Sequence, residues 1–196
     1  MINTGLKHSL FVIIGPSGSG KTRVTEAVFP KQAKIITHTT RPIRQEEREG
    51  IDYYFETENS FQKLFQSGQL VEQDRYHGFH YGVGLAEISK RTASQPAYAV
   101  LTYSGLKEVY RHFPEDVIVI FFDVTKEHVQ HRLALREQDS KLIQERLTLY
   151  DQEILIRDQL EIFAKCYMLD ANQPFNEVVT QFSQILTDVK KNVIRP

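Results

Sequence analysis

Gly15-Pro16-Ser17-Gly18-Ser19-Gly20-Lys21-Thr22 follows the spacing G-x-x-x-x-G-K-[ST], and its residue types suit the binding of a phosphate chain. The glycines let the backbone curl so that its N–H groups point inward. A helix starting at the loop's end adds partial positive charge. In that arrangement Lys21 reaches the β- and γ-phosphates, and the Thr22 hydroxyl holds Mg²⁺. A glycine-rich turn without a ligand is the alternative, and the flanking residues weigh against it. Leu10 to Ile14 is a short apolar run that reads as a buried parallel strand. Thr22 to Phe29 reads as a helix that Pro30 forbids from continuing.

Other residues with chemical potential cluster further on. His38 to Gly50 is dense in charge, with Arg41, Arg44, Glu46, Glu47, Arg48 and Glu49, and most of it reads as a solvated loop. Leu70, Glu72, Asp74 and Tyr76 fall on one side of a strand, so its acids are either solvated or partnered. His77 and His80 are three apart, but no nearby Cys or further His completes a metal set. Cys166 is the single cysteine, which excludes an intrachain disulfide; beside Tyr167, Met168 and Leu169 it reads as a buried strand thiol.

The elements that position these residues alternate. Strands are expected at Leu10–Ile14, Ala33–Thr37, Asp52–Phe55, Leu70–Tyr76, Tyr98–Tyr103, Val117–Phe122 and Cys166–Leu169. Helices are expected at Asn59–Ser67, Leu85–Thr92, the segment carrying Leu106, Val109, Tyr110 and Phe113, Lys126–Arg136, Ser140–Phe163, and from Phe175 onward. His77 to Gly84 reads as turn-rich. The alternation implies an α/β fold, a parallel sheet with helices on both faces. Residues 38–94 interrupt it and read as an inserted lobe, leaving a core of residues 1–37 and 95–196.

The chain has 196 residues with 24 basic and 25 acidic side chains, so neither nucleic acid nor a membrane surface is expected as partner. Met1 to Ser9 is too short and polar for a signal peptide, and no apolar run reaches spanning length. A cytoplasmic protein, monomer or homodimer, is expected.

Taken together, these segments resemble the guanylate kinase family. The resemblance covers nearly the whole chain. Its most specific part is Thr39-Thr40-Arg41-Pro42-x-Arg44-x-x-Glu47-x-x-Gly50-x-Asp52-Tyr53-x-Phe55, and Leu70-Val71-Glu72 with Gly78 and Tyr81-Gly82 is a second match. The resemblance implies a P-loop core, an α+β acceptor-binding lobe at 38–94 and a helical lid at about 133–146. It implies transfer of a phosphoryl group from ATP, with Mg²⁺, to GMP. Gly15, Pro16, Ser17, Gly18, Ser19, Gly20, Lys21 and Thr22 would bind ATP, with Thr22 on the metal. Arg41, Arg44, Tyr53 and Tyr81 would hold the acceptor phosphate, and two guanidinium forks and two phenols suit a dianion. Glu72 and Thr37 would read guanine. Lys21, Arg41, Arg132, Arg136 and Arg146 would stabilise the transferring charge. This chain departs from the family at three points. Val100-Leu101-Thr102 lacks the acidic pair, for which Asp123 is the nearest substitute. Val83 stands where a base-contacting Ser or Thr is usual, and Glu137-Gln138-Asp139 lacks a glycine. The departures keep two alternatives open: a kinase for another phosphorylated acceptor such as ribose 1,5-bisphosphate, and a non-catalytic binding module.

Overall fold

The computed structural model describes residues 5–76, 78–135 and 139–193. Its elements run β1 (Leu10–Ile14), α1 (Lys21–Val28), β2 (His38–Thr39), β3 (Tyr54–Phe55), α2 (Glu58–Gln66), β4 (Leu70–Tyr76), β5 (Phe79–Gly84) and α3 (Leu85–Arg91). They continue as β6 (Ala97–Val100), α4 (Tyr103–His112), β7 (Val117–Asp123), α5 (Lys126–Ala134), α6 (Ser140–Glu153), β8 (Cys166–Asp170) and α7 (Phe175–Val193). One sheet has the order β6-β1-β7-β8 and a second β3-β2-β5-β4. The fold is thus α/β, with β7 and β8 parallel. No helix among the described residues is long and apolar enough to cross a membrane.

The chain divides into two compact units, residues 1–12 with 31–118 and residues 13–30 with 119–196. In the second unit, Phe122 and Phe29 both pack edge-on against Phe182 of α7, at ring separations of 6.2 and 5.8 Å. β1 and β7 are buried almost end to end, as expected of strands covered on both faces.

In the first unit, the β3-β2-β5-β4 sheet is drawn from residues 38–84. Thr57 starts α2 by accepting the Ser60 N–H at 3.1 Å, and α2 buries Phe61. Thr102 starts α4 in the same way, accepting the Gly105 N–H at 3.1 Å.

Four expectations need correction. Ala33–Thr37 is not a strand: Lys34 makes one parallel bridge to Tyr98, and by Thr37 the carbonyl already serves Tyr54 of the other sheet. His77–Gly84 is not turn-rich throughout, since β5 occupies Phe79–Gly84 and pairs with both β2 and β4. β6 stops at Val100 because Thr102 caps the following helix. α6 ends at Glu153 and tightens into a 3₁₀ segment, Ile154–Ile162.

Candidate active site

β1 delivers the chain to the glycine loop and α1 leaves it. At Gly15 the backbone has φ 137°, and a Cβ there would lie 2.7 Å from the Phe122 carbonyl oxygen, so only glycine fits against β7. Gly20 precedes α1 at φ 90° and supplies no side-chain cap, so the first N–H groups of the helix are left for another acceptor.

The Lys21 ammonium folds back onto its own loop, donating to the carbonyls of Gly15 at 2.5 Å and Pro16 at 2.8 Å. Burial pushes it down to about 8, and the negative charge of Glu153 works against that shift. The Ser17 N–H donates to Glu153 Oε2 at 2.6 Å. A carboxylate thus sits at one of the N–H groups that the motif directs at phosphate. Thr22 is exposed on the first turn of α1, and Ser19 is buried.

Arg132, on α5, donates from Nη1 to the Ser19 carbonyl at 3.0 Å and from Nη2 to the Ala171 carbonyl at 2.7 Å. It braces the loop against the turn after β8, and burial holds its pKa below the usual arginine value. Arg146 is half-buried on α6. Arg136, Glu137 and Gln138 lie outside the described residues. Asp123 faces Arg157 at 3.4 Å, an ion pair within the second unit.

The other candidate residues belong to the first unit. Its short strand β2 lies between β3 and β5, pairing His38 with Tyr54 and Gly82, and Thr39 with Phe55 and Tyr81. This register brings Tyr53, Phe55 and Tyr81 round Arg41. The Arg41 guanidinium lies 5.3 Å from the Tyr53 ring centre and 5.9 Å from that of Phe55. The Tyr53 and Tyr81 rings meet edge to face at 6.1 Å. Arg41 is buried, and its Nη2 donates to Glu47 Oε1 at 2.7 Å. That bond raises the arginine's pKa and lowers that of the glutamate. The other Glu47 oxygen accepts the Arg44 N–H at 2.9 Å, which leaves the exposed Arg44 side chain pointing from a fixed backbone. Burial raises the Tyr53 phenol, with Tyr81 adding to the effect.

Most of the loop's acids are not merely solvated. Asp52 accepts the Arg48 N–H at 2.8 Å and Glu49 the Phe55 N–H at 2.9 Å. Glu47, Glu49 and Asp52 therefore hold the loop's shape by satisfying its backbone.

Glu72 lies on β4 opposite Val83 of β5, and Asp74 opposite Tyr81. Directly paired residues share a face, so Glu72, Asp74, Tyr81 and Val83 line one side of the hairpin. Glu72 is 4% exposed, yet its Oε2 has no hydrogen-bond partner. Burial first, then the charges of Asp74 and Glu108, push its carboxyl up to about 8. A Cβ on Gly105 would lie 3.2 Å from that carboxyl, so this glycine lets α4 approach it. Thr37 is half-buried just before β2, and Val83 is 1% exposed.

The structure thus gathers Arg41, Tyr53, Tyr81 and the Arg44 backbone in one unit, with Glu72 on the face that carries Tyr81. It gathers the glycine loop, Lys21 and Arg132 in the other. Sequence reasoning passed over Glu47 and Glu153 as site residues. Glu47 stood inside the quoted motif, whereas nothing local marks Glu153.

The family model described as guanylate kinase matches residues 7–189. A guanylate kinase of Nitrosococcus oceani is 33% identical over 142 residues, which cover 70% of this chain and 70% of that protein. One from Coxiella burnetii is 28% identical over 186 residues, 92% of this chain and 87% of its own. Among solved structures, guanylate kinase from Anaplasma phagocytophilum shares the fold, with a TM-score of 0.66 at 23% identity over 92% of this chain and 85% of that one.

Proposed function

The chain belongs to the guanylate kinase family, and on that premise we propose that it transfers the γ-phosphoryl group of ATP to GMP. The observation that carries the choice of acceptor is Glu72, a buried carboxyl with an unpartnered oxygen, on the strand face that also carries Tyr81. Buried polar atoms without partners are rare in folded proteins, and an acceptor aimed at a ligand's donors accounts for this one. Guanine presents N1–H and an exocyclic amine side by side. Adenine lacks that pair of donors, so a carboxyl that releases its proton as those two N–H groups arrive favours guanine.

Arg41, Arg44, Tyr53 and Tyr81 bind the GMP phosphate in this proposal. Glu47 keeps Arg41 charged and oriented, so little ordering cost remains when the anion arrives. The attacking oxygen belongs to an ionised phosphate, so no general base is needed. The glycine loop and the start of α1 cradle the β- and γ-phosphates of ATP, and the Ser17 N–H then passes from Glu153 to a phosphate oxygen. Lys21 turns from the loop carbonyls to the phosphates and stays protonated beside them. Arg132, Arg136 and Arg146 spread the charge of the transferring group. Among the described residues no three His, Cys, Asp or Glu gather round a metal position. Mg²⁺ bound with a nucleotide takes most of its ligands from phosphates and water, so the Thr22 hydroxyl, a hard oxygen donor, fits it. That ion supplies charge neutralisation at the phosphates.

The test is ADP release from Mg-ATP with GMP, dGMP, AMP, UMP, CMP or ribose 1,5-bisphosphate added singly. Turnover is expected with GMP and dGMP and lost in Lys21→Ala. Turnover with AMP equal to that with GMP, or with ribose 1,5-bisphosphate alone, overturns the proposal.

A further inference from the structure

The loop before α4 is neutral, Val100-Leu101-Thr102, yet a second carboxylate reaches it from β4. The Thr102 hydroxyl accepts the Gly105 N–H at 3.1 Å, so its own proton is free to go elsewhere, and it goes to Asp74 Oδ2. The Arg75 N–H donates to Asp74 Oδ1 at 2.7 Å. Asp74 is therefore fixed at both oxygens, each of which keeps a further lone pair. Its position two residues from Glu72 puts it on the same strand face, and its charge is among the causes of the Glu72 shift. Gly105 and Thr102 thus belong to one helix start, the first leaving room for Glu72 and the second holding Asp74.

We propose that Asp74, positioned by Thr102, is a second base-reading carboxylate that selects acceptors carrying an exocyclic amine at purine C2. This inference rests on the GMP reading of the same site and deepens it. Guanine has three N–H bonds along this edge, one at N1 and two at the amine. The two oxygens of Glu72 pair with N1–H and one amine hydrogen. The second amine hydrogen is left over, and burying it unpaired carries a penalty. Asp74 accepts it. Hypoxanthine presents N1–H but no amine, so IMP engages Glu72 and gains nothing from Asp74. Thr102 acts through Asp74 and is a positioning residue. Loss of its hydroxyl leaves Asp74 held at Oδ1 by the Arg75 N–H but released at Oδ2, and it also removes the N-cap of α4.

The experiment is calorimetric binding of GMP and of IMP to wild type, Asp74→Ala, Asp74→Asn and Thr102→Val, with thermal melts to verify folding. Wild type is expected to prefer GMP to IMP by well over tenfold. Asp74→Ala is expected to lower the GMP-to-IMP affinity ratio about tenfold, both nucleotides gaining alike from the relief of like charge on Glu72. Asp74→Asn, nearly isosteric, covers the case in which the alanine variant fails to fold, and it should lose the preference in the same direction. Thr102→Val should lose part of the preference. Equal weakening of both nucleotides in the Asp74 variants marks a purely structural residue and overturns the inference. So does an unchanged GMP-to-IMP ratio. A wild-type chain that binds neither nucleotide overturns this inference together with the proposed function, whereas an intact wild type with an unchanged ratio in the variants overturns this inference alone.

Discussion

Replacing Glu72 by Gln should make the protein more stable, and increasingly so as the pH rises. The carboxyl is 4% exposed and its Oε2 meets no donor, so ionising it in the folded chain carries the full cost of desolvation. Burial, with Asp74 and Glu108 adding like charge, raises it from 4.5 to about 8. The folded chain therefore keeps a proton that the unfolded chain has already released. Stability from this group begins to fall as the pH passes 4.5, and the fall ends as the pH passes about 8. Within that window the slope is about 1.4 kcal/mol per pH unit. Between pH 5.5 and 7.0 the wild type should lose about 2 kcal/mol that the Gln variant keeps. For a chain of this length that is a melting-temperature difference of about 4–8 °C. The assay is a pair of thermal melts, wild type and Glu72→Gln, at half-unit steps from pH 5.0 to 8.5 without nucleotide. Histidines and other groups shift both proteins alike, so the informative quantity is the difference between the two Tm curves. Curves that run parallel across the window would show that Glu72 is ionised in the fold. The account of an unpartnered, protonated carboxyl would then be wrong.

Gly15→Ala should lower stability by about 2 kcal/mol or more, because the new Cβ would meet the Phe122 carbonyl at 2.7 Å in a backbone region that L residues avoid; a melt within 1 °C of wild type would refute this. Glu47→Gln removes the charge that orients Arg41 and weakens the hold on the Arg44 N–H. The KM for GMP should rise about tenfold with kcat within twofold, and steady-state kinetics showing an unchanged KM would count against the assigned phosphate site.

Features whose causes are local in the chain were legible before the structure. The glycine loop, the helix after it, the apolar β1 and the apolar run Val117–Phe122 of β7 are set by neighbouring residues, and each stands where the sequence placed it. Arg41, Tyr53 and Tyr81 were legible as a set because one motif carries two of them. The failures share a different cause. Ala33–Thr37 has strand composition, but a strand also needs a partner along its length, and this segment leaves Tyr98 for Tyr54 within a few residues. Gly82 suggested a turn, whereas it is glycine because a Cβ would meet the Glu72 carbonyl at 2.8 Å and Phe61 at 3.0 Å. Composition cannot separate a glycine that bends the chain from one that admits a neighbour. Glu153 meets Ser17 across 136 residues of sequence, and Thr102 meets Asp74 across 28. Period-two spacing did put Asp74 beside Glu72 and posed the choice between solvation and a partner. It could not name a hydroxyl on another element as that partner. Asp123 ends the next strand but faces Arg157, whereas Asp74 reaches the start of α4 from β4. β4 is not a neighbour of β6 but belongs to the other sheet, so the carboxylate is brought to the end of β6 by tertiary packing that no spacing rule within one sheet reveals.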